Sequence, residues 1–153
     1  MPRSRTKPPS PLRTERDVLA AVLDALRLYG IDCDRQNTGA ARNPAGRLVM
    51  FGRRGNSDIS GMLPAGWVTP DGVDISGRKI DLEVKREGFQ PEKLRGEARE
   101  HFDRQLARLK LTNQNGGYGT WVTDAKQVIR ILDRIRDGWR IVFDGDYPVL
   151  TDE

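Results

Sequence analysis

The 153-residue sequence has a single cysteine, Cys33, and a single histidine, His101. One thiol cannot close an internal disulfide, and one thiol with one imidazole cannot build the cluster that structural zinc requires. Such sparing use of cysteine fits a reducing compartment, so a cytoplasmic protein is expected. Long hydrophobic runs are absent too. No stretch approaches the roughly 18 apolar residues that suggest a membrane span, and residues 1–13 contain no apolar core of a secretory leader. A protein with no membrane partner is the expectation. With thiolate and imidazole scarce, any metal would be a hard cation held by carboxylates.

The body of the chain also lacks net charge. The formal +4 comes from 26 Lys and Arg against 22 Asp and Glu. Arg3, Arg5, Lys7 and Arg13 lie within the first fourteen residues with no acid among them, so the remainder sums to zero. The segment 1–13, rich in proline and basic residues, reads as a disordered basic tail, and 14–153 as one domain with a single core. Charge still segregates inside that neutral body. Arg35, Arg42, Arg47, Arg53 and Arg54 occur between 35 and 57 with no acid, whereas 144–153 holds four acids and no base. A local patch of this kind can meet a polyanion even when the sum is zero.

Thr14 followed by Glu15 and Asp17 signals a capped helix start, and Val18, Val22, Ala25, Leu26 and Tyr29 recur at helical spacing up to Gly30. Extended segments are expected at 31–37 and 47–51, split by the loop TGAARNPAG. A strand is expected at 58–62, and further strands at 67–69 and 78–85 around a turn-rich PDGVDISG. Pro91 and Glu92 open a second helix with Leu94, Ala98, Phe102, Leu106 and Leu109 as its apolar stripe. A strand at 118–123 and a third helix capped by Asp124, with Val128, Ile131, Leu132 and Ile135 inward, follow. Residues 139–153 read either as a last strand or as a dimer contact. Helix, strands, helix, strand, helix predicts an α/β fold: a mixed sheet covered by helices, with a crossover into the strand at 118–123.

Within the strand at 78–85, Ile80, Leu82 and Val84 alternate with Asp81, Glu83 and Lys85. The plain reading is a solvated charged face. The chemical reading is a metal site, in which a carboxylate holds a divalent cation and a neighbouring lysine orients the attacking water. Glu-x-Lys is common by chance, and Asp124-Ala-Lys126, which also fits acid-x-Lys, is better explained as a helix cap. Glu83-Val84-Lys85 is the stronger candidate. For the second carboxylate, Asp71 sits in the turn signature Pro-Asp-Gly. Asp58 stands at the start of an apolar strand and is preferred.

The ordered set of a first helix bearing Glu15, then GNSDISGMLPAG, then IDLEVKREG, then a helix with Gln105 and a Gly-Gly turn before GTWVTD resembles a known family. It is similar to the virus-type replication-repair nuclease domain, VRR-NUC, of the PD-(D/E)xK nuclease superfamily, over roughly residues 15–132. This chain lacks the proline that usually precedes the first site carboxylate, and the interval from Asp58 to Glu83 is long enough for a hairpin insertion. The resemblance implies a restriction-endonuclease-like mixed β-sheet flanked by helices. It also implies a Mg2+-dependent DNA endonuclease, Mn2+ substituting, that acts on branched or junction DNA as a homodimer in a bacterial cytoplasm, whether bacterial or phage-encoded. Residue by residue, Asp58, Glu83 and the Val84 carbonyl would hold the ion and Lys85 would position the water. Glu15 matches an acid that reaches the metal directly or through water, and Gln105 a glutamine that orders the site. Without the resemblance, Glu15 is a first-turn acid beside the helix dipole and Gln105 a surface residue beside an apolar stripe. His101, one turn before Gln105, reads as a bystander, and Trp67, Trp121 and Trp139 as core. Arg35, Asn37, Arg42, Arg47, Arg53 and Arg54 fall in segments preceding Asp58 and are the expected DNA contacts. Two rivals remain: a DNA-binding module that keeps the nuclease fold without turnover, and a plain scaffold in which Asp58 and Glu83 lie far apart.

Overall fold

Thr14 and Asp17 start the first helix by a reciprocal cap. The Thr14 hydroxyl accepts from the Asp17 amide at 3.2 Å, and the Asp17 carboxylate accepts from the Thr14 amide at 3.3 Å. The computed structural model describes residues 11–35, 39–42, 44–51 and 57–153. Helix α1 spans Glu15–Leu28 and buries Val18, Val22, Ala25 and Leu26, the stripe expected from their spacing. Four strands form one sheet: β1 (Asp32–Arg35), β4 (Ile59–Met62), β5 (Lys79–Val84) and β6 (Tyr118–Val122), in that order across it. The β1–β4 and β4–β5 pairs are antiparallel, and β5–β6 is parallel. The parallel step needs a crossover, supplied by helix α2 (Gly96–Gln114). Helix α3 (Ala125–Arg136) follows β6, capped by the Asp124 carboxylate on the Gln127 amide at 2.8 Å.

The sheet lies between two helical layers. Ile80, Leu82 and Val84 join the α1 and α3 residues Val18, Val22, Leu26, Val128, Leu132 and Ile135 in one core. On the other face, α2 brings Phe102, Leu106 and Leu109 against Trp121. At roughly 1.5–3 kcal/mol for each large apolar side chain fully buried, both faces contribute to the stability of the sheet. The α2 layer sits very close because β6 carries Gly119: a Cβ there would lie 2.6 Å from the Leu109 carbonyl oxygen. Asn113 of α2 also bonds both backbone groups of Gly119, at 3.0 and 2.6 Å, and fastens helix to strand.

Several expected boundaries change. Residues 39–42, expected in a loop, form strand β2 (Gly39–Arg42), paired antiparallel with β3 (Leu48–Phe51); cross-strand pairing rather than propensity makes this hairpin. Residues 67–69 are not a strand, since only a single bridge joins Val68 to Asp74 within an excursion between β4 and β5. Pro91 opens a short 3-10 turn, Pro91–Lys93, and α2 begins only at Gly96, leaving Leu94 outside the helix and Ala98 exposed. The C-terminal segment forms a hairpin, β7 (Arg140–Asp144) with β8 (Tyr147–Thr151), beside β6. Arg13, in the segment expected as a tail, exchanges two hydrogen bonds with Glu87: its amide donates to the carboxylate at 2.8 Å, and its carbonyl accepts from the Glu87 amide at 3.2 Å. Residues 1–10 lie outside the described residues. No described helix is long and apolar enough to cross a membrane.

Candidate active site

The expected charged face of β5 is not solvated. Asp81 and Glu83 are 1% and 2% exposed, sealed beneath α2. A carboxylate in that position must find donors or neutralise, and the two solve the problem differently. Asp81 accepts from Ser57 and Ser60 hydroxyls at 3.0 and 2.8 Å on one oxygen, and from the Thr112 hydroxyl at 2.6 Å with the Lys79 ammonium at 3.2 Å on the other. It is fully satisfied and structural. Glu83 has fewer partners. Its Oε1 accepts from Gln105 Nε2 at 2.6 Å, with the Lys85 ammonium further off at 3.8 Å, and its buried Oε2 has no hydrogen-bond partner among the described residues.

Strand register brings Asp58 to this gap. Ile59 pairs with Leu82, so the next step along the antiparallel ladder sets Asp58 opposite Glu83. Asp58 is fixed there by its Oδ2, which accepts from the Val84 amide at 2.8 Å. Burial, then the negative charge of the adjacent Asp58, push the Glu83 carboxyl up to about 9; Lys85 opposes this, and Glu15 adds to it more weakly. With both carboxylates ionised neither has a hydrogen to give the other, so only a proton or a cation between them relieves the contact. The relation matches the pattern in which two facing acids share one positive charge.

Lys85 reaches the same place from the next position on the α2-facing row. Its ammonium donates to Gln105 Oε1 at 2.7 Å, and Gln105 donates onward to Glu83. Gln105 therefore ties the acid to the lysine. It is 7% exposed, not the surface residue that the stripe pattern alone allowed. The Lys85 ammonium lies 5.4 Å from the Phe89 ring centroid and 5.6 Å from that of Phe102, two aromatic faces that favour the cation. Sequence reasoning assigned neither ring to the site. The available signal was spacing, because Phe102 stands three residues before Gln105 and so shares its helix face.

The other expected residues divide. Glu15 is exposed in the first turn of α1 and acts on Glu83 only through charge; the strap between Arg13 and Glu87 holds that helix start beside the end of β5. Among the described residues, no three His, Cys, Asp or Glu side chains gather closely enough to hold a metal ion by themselves. Asp58 and Glu83 stand opposite each other as two carboxylates, with the charge of Glu15 felt at Glu83. Val84, whose carbonyl is expected at the ion, also donates its amide to Asp58. Asp71 is elsewhere, its carboxylate accepting from the Thr69 hydroxyl in the turn before β5. The His101 side chain is exposed, while its neighbour Phe102 takes the inward position. Arg35 closes β1 opposite Ile59, at the Asp58 end of the sheet, and is exposed. Arg42 ends β2, and Arg47 is exposed in the turn that follows. Asn37, Arg53 and Arg54 lie outside the described residues. Trp67 and Trp121 are buried as expected, whereas Trp139 is only half-buried.

A hard divalent cation fits this donor set. Two carboxylates stand opposite each other in the strand register, one buried oxygen lacks a partner among the described residues, and a cation held there would keep positions for water and phosphate oxygens, as Mg2+ sites usually do. No protein-family model, curated protein or solved structure matches the chain. The chemistry of the site therefore follows from its own geometry.

Proposed function

We propose that this chain is a divalent-metal-dependent DNA endonuclease with a restriction-endonuclease-like, VRR-NUC-type fold. The observation that carries the reading is the buried Glu83, set opposite Asp58 by the strand register, with one oxygen unpartnered among the described residues and the other linked through Gln105 to Lys85. A structural carboxylate would be satisfied as Asp81 is.

Asp58 and Glu83 would hold Mg2+ or Mn2+, which would supply positive charge at the scissile phosphate. The protein's own residues do the rest. Glu83, set opposite Asp58 by the strand register, would bind such a cation in its ionised form. Lys85 has three N–H donors and gives one to Gln105, leaving two to orient the attacking water and a phosphate oxygen. Gln105 fixes the spacing between acid and ammonium, and Phe89 and Phe102 keep the ammonium from swinging away. The water oxygen bonds to phosphorus as the bond to the leaving oxygen breaks; the water gives up a proton to solvent and the leaving oxygen takes one from solvent, so none is gained or lost overall. Arg35, at the same end of the sheet, and the arginines of the β2–β3 segment supply backbone contacts to DNA. We take branched DNA cut by a homodimer as substrate and assembly.

Incubation of the protein with flap, splayed-arm and four-way-junction DNA in Mg2+ tests this beside Glu83→Ala and Lys85→Ala. Each substitution is expected to reduce cleavage by about 10³-fold or more. Cleavage that persists in both variants sinks the mechanism. Binding without cleavage, equal in all three proteins, means a DNA-binding module.

A further inference from the structure

A second concavity lies beside the candidate active site. A cleft of about 580 Å³ opens between β6, α3 and the β7–β8 hairpin. It exists because β6 is the outer strand of its sheet while the hairpin forms a ladder of its own. The tip of the hairpin is pinned: Arg99 grips Asp146 through two hydrogen bonds of 2.8 and 2.6 Å, Trp121 donates to the Asp146 carbonyl at 2.8 Å, and the Tyr147 hydroxyl donates to Glu92 at 2.6 Å. The cleft is thus preformed, and its volume falls in the range, roughly 300–1,000 Å³, that encloses a small organic ligand.

Two kinds of group line it. Phe89, Trp121, Trp139 and Tyr147 contribute rings, with Trp121 centred 5.4 Å from Phe89 and 5.5 Å from Tyr147. Arg130 and Arg134, one turn apart on α3, contribute guanidinium groups. Both are exposed, and neither pairs with a carboxylate among the described residues; Arg134 lies 4.6 Å over the Trp139 ring. A purely apolar ligand would leave two cations without a counter-charge, and a small inorganic anion would leave the more exposed rings, Phe89, Trp139 and Tyr147, unused. A flat heteroaromatic group joined to a phosphate uses both.

We propose that this cleft receives an unpaired nucleotide from a single-stranded DNA arm, its base against the aromatic walls and its phosphate on Arg130 and Arg134. The site adjoins the nuclease centre, since the Phe89 ring is 5.4 Å both from the Lys85 ammonium and from the Trp121 ring. One strand can therefore place a base in the cleft and a neighbouring phosphate near Lys85. The polymer's identity rests on the nuclease reading, while the ligand class rests on the cleft. The preference for branched DNA then comes from recognising an unpaired arm.

The test measures equilibrium binding of the full chain, without divalent cation, to fluorescent oligo(dT) and to a blunt duplex, for wild type, Arg130→Ala/Arg134→Ala and Trp139→Ala. All three positions are at least partly exposed, and circular dichroism checks folding. Oligo(dT) affinity should fall about tenfold or more in each variant, with duplex affinity changed less than twofold by Trp139→Ala. Trp fluorescence should be quenched by oligo(dT) in wild type. Variants that bind oligo(dT) as wild type does, or lose oligo(dT) and duplex equally, overturn the proposal. Cleavage of junction DNA is scored separately: its absence with cleft binding intact removes the nuclease reading and leaves the cleft, and its presence with unaltered variants does the reverse.

Discussion

Asp81 and Glu83 stand two residues apart on one face of one strand, both buried beneath the same helix, and differ in what their oxygens meet. Asp81 has three hydroxyls and an ammonium. Glu83 has one amide and a more distant ammonium on one oxygen, no partner on the other among the described residues, and a second carboxylate opposite it. Burial alone therefore says nothing about chemistry. A satisfied buried carboxylate contributes to the fold, whereas an unsatisfied one beside another acid costs stability and persists where something absent from the folded chain, a proton or a cation, completes it.

The strongest way to break this contrast is to neutralise each acid in turn. Glu83→Gln puts an amide where two acids meet, so the melting temperature should stay level or rise while Mg2+-dependent cleavage falls by about 10³-fold or more. Asp81→Asn sets an amide against hydroxyl and ammonium donors and removes charge-assisted bonds, costing about 2–4 kcal/mol, or roughly 5–15 °C. Its cleavage per folded molecule should remain within a few-fold of wild type. Calorimetry and a cleavage assay on the same preparations check both. The reverse pattern, with Glu83→Gln unfolding the protein and Asp81→Asn inactive, would exchange the two roles.

A second test uses protons. The Glu83 carboxyl rises from its ordinary 4.5 to about 9, so between those values the folded chain holds a proton that the unfolded chain has released. Stability must then fall as pH rises through that window, the opposite of the usual salt-bridged acid. In EDTA the melting temperature should decline from pH 5 to pH 9, and Glu83→Gln should flatten the decline. Mg2+ competes with that proton, so it should raise the melting temperature more at pH 9 than at pH 6. A wild-type profile that parallels Glu83→Gln, with or without Mg2+, counts against a shared proton at this site.

Much of the scaffold was legible in the sequence because it depends on local signals. The Thr14 and Asp124 caps, the stripe from Val18 to Leu26, and the strands carrying Ile59 and Ile80–Val84 follow from side-chain chemistry and period alone. The hairpin made by Gly39–Arg42 was not legible, since glycine, alanine and arginine carry no strand preference and only pairing with Leu48–Phe51 makes it. The wet or dry state of Asp81 and Glu83 was not legible either. Alternation marks them as one face, but whether that face is solvated depends on how closely α2 docks, and that is decided at Gly119, far along the chain. The meeting of Asp58 with Glu83 is likewise a matter of register, which pattern does not fix. Gln105 could be placed on a helix from the sequence, but not between an acid and a lysine.

The smallest effects should come from the helix that covers both acids, and they sharpen the comparison because α2 serves each acid with one side chain. Gln105→Leu keeps bulk but leaves Glu83 Oε1 and the Lys85 ammonium without their link, so cleavage should fall about 10–100-fold with little change in melting temperature. Thr112→Val removes one of the donors of Asp81, so it should cost about 1 kcal/mol, roughly 2–4 °C, and leave cleavage within twofold. The two sites are seven residues apart on one helix, close enough for a rigid-body shift of α2 to reach both. If α2 moved as one body, each substitution would impair both stability and cleavage. Separate effects require instead that Gly119 and the Asn113 clasp hold the helix in place while its side chains act independently. Measuring both properties for both variants distinguishes these cases, and equal loss of cleavage in Thr112→Val and Gln105→Leu would remove the distinction between a structural and a chemical end of β5.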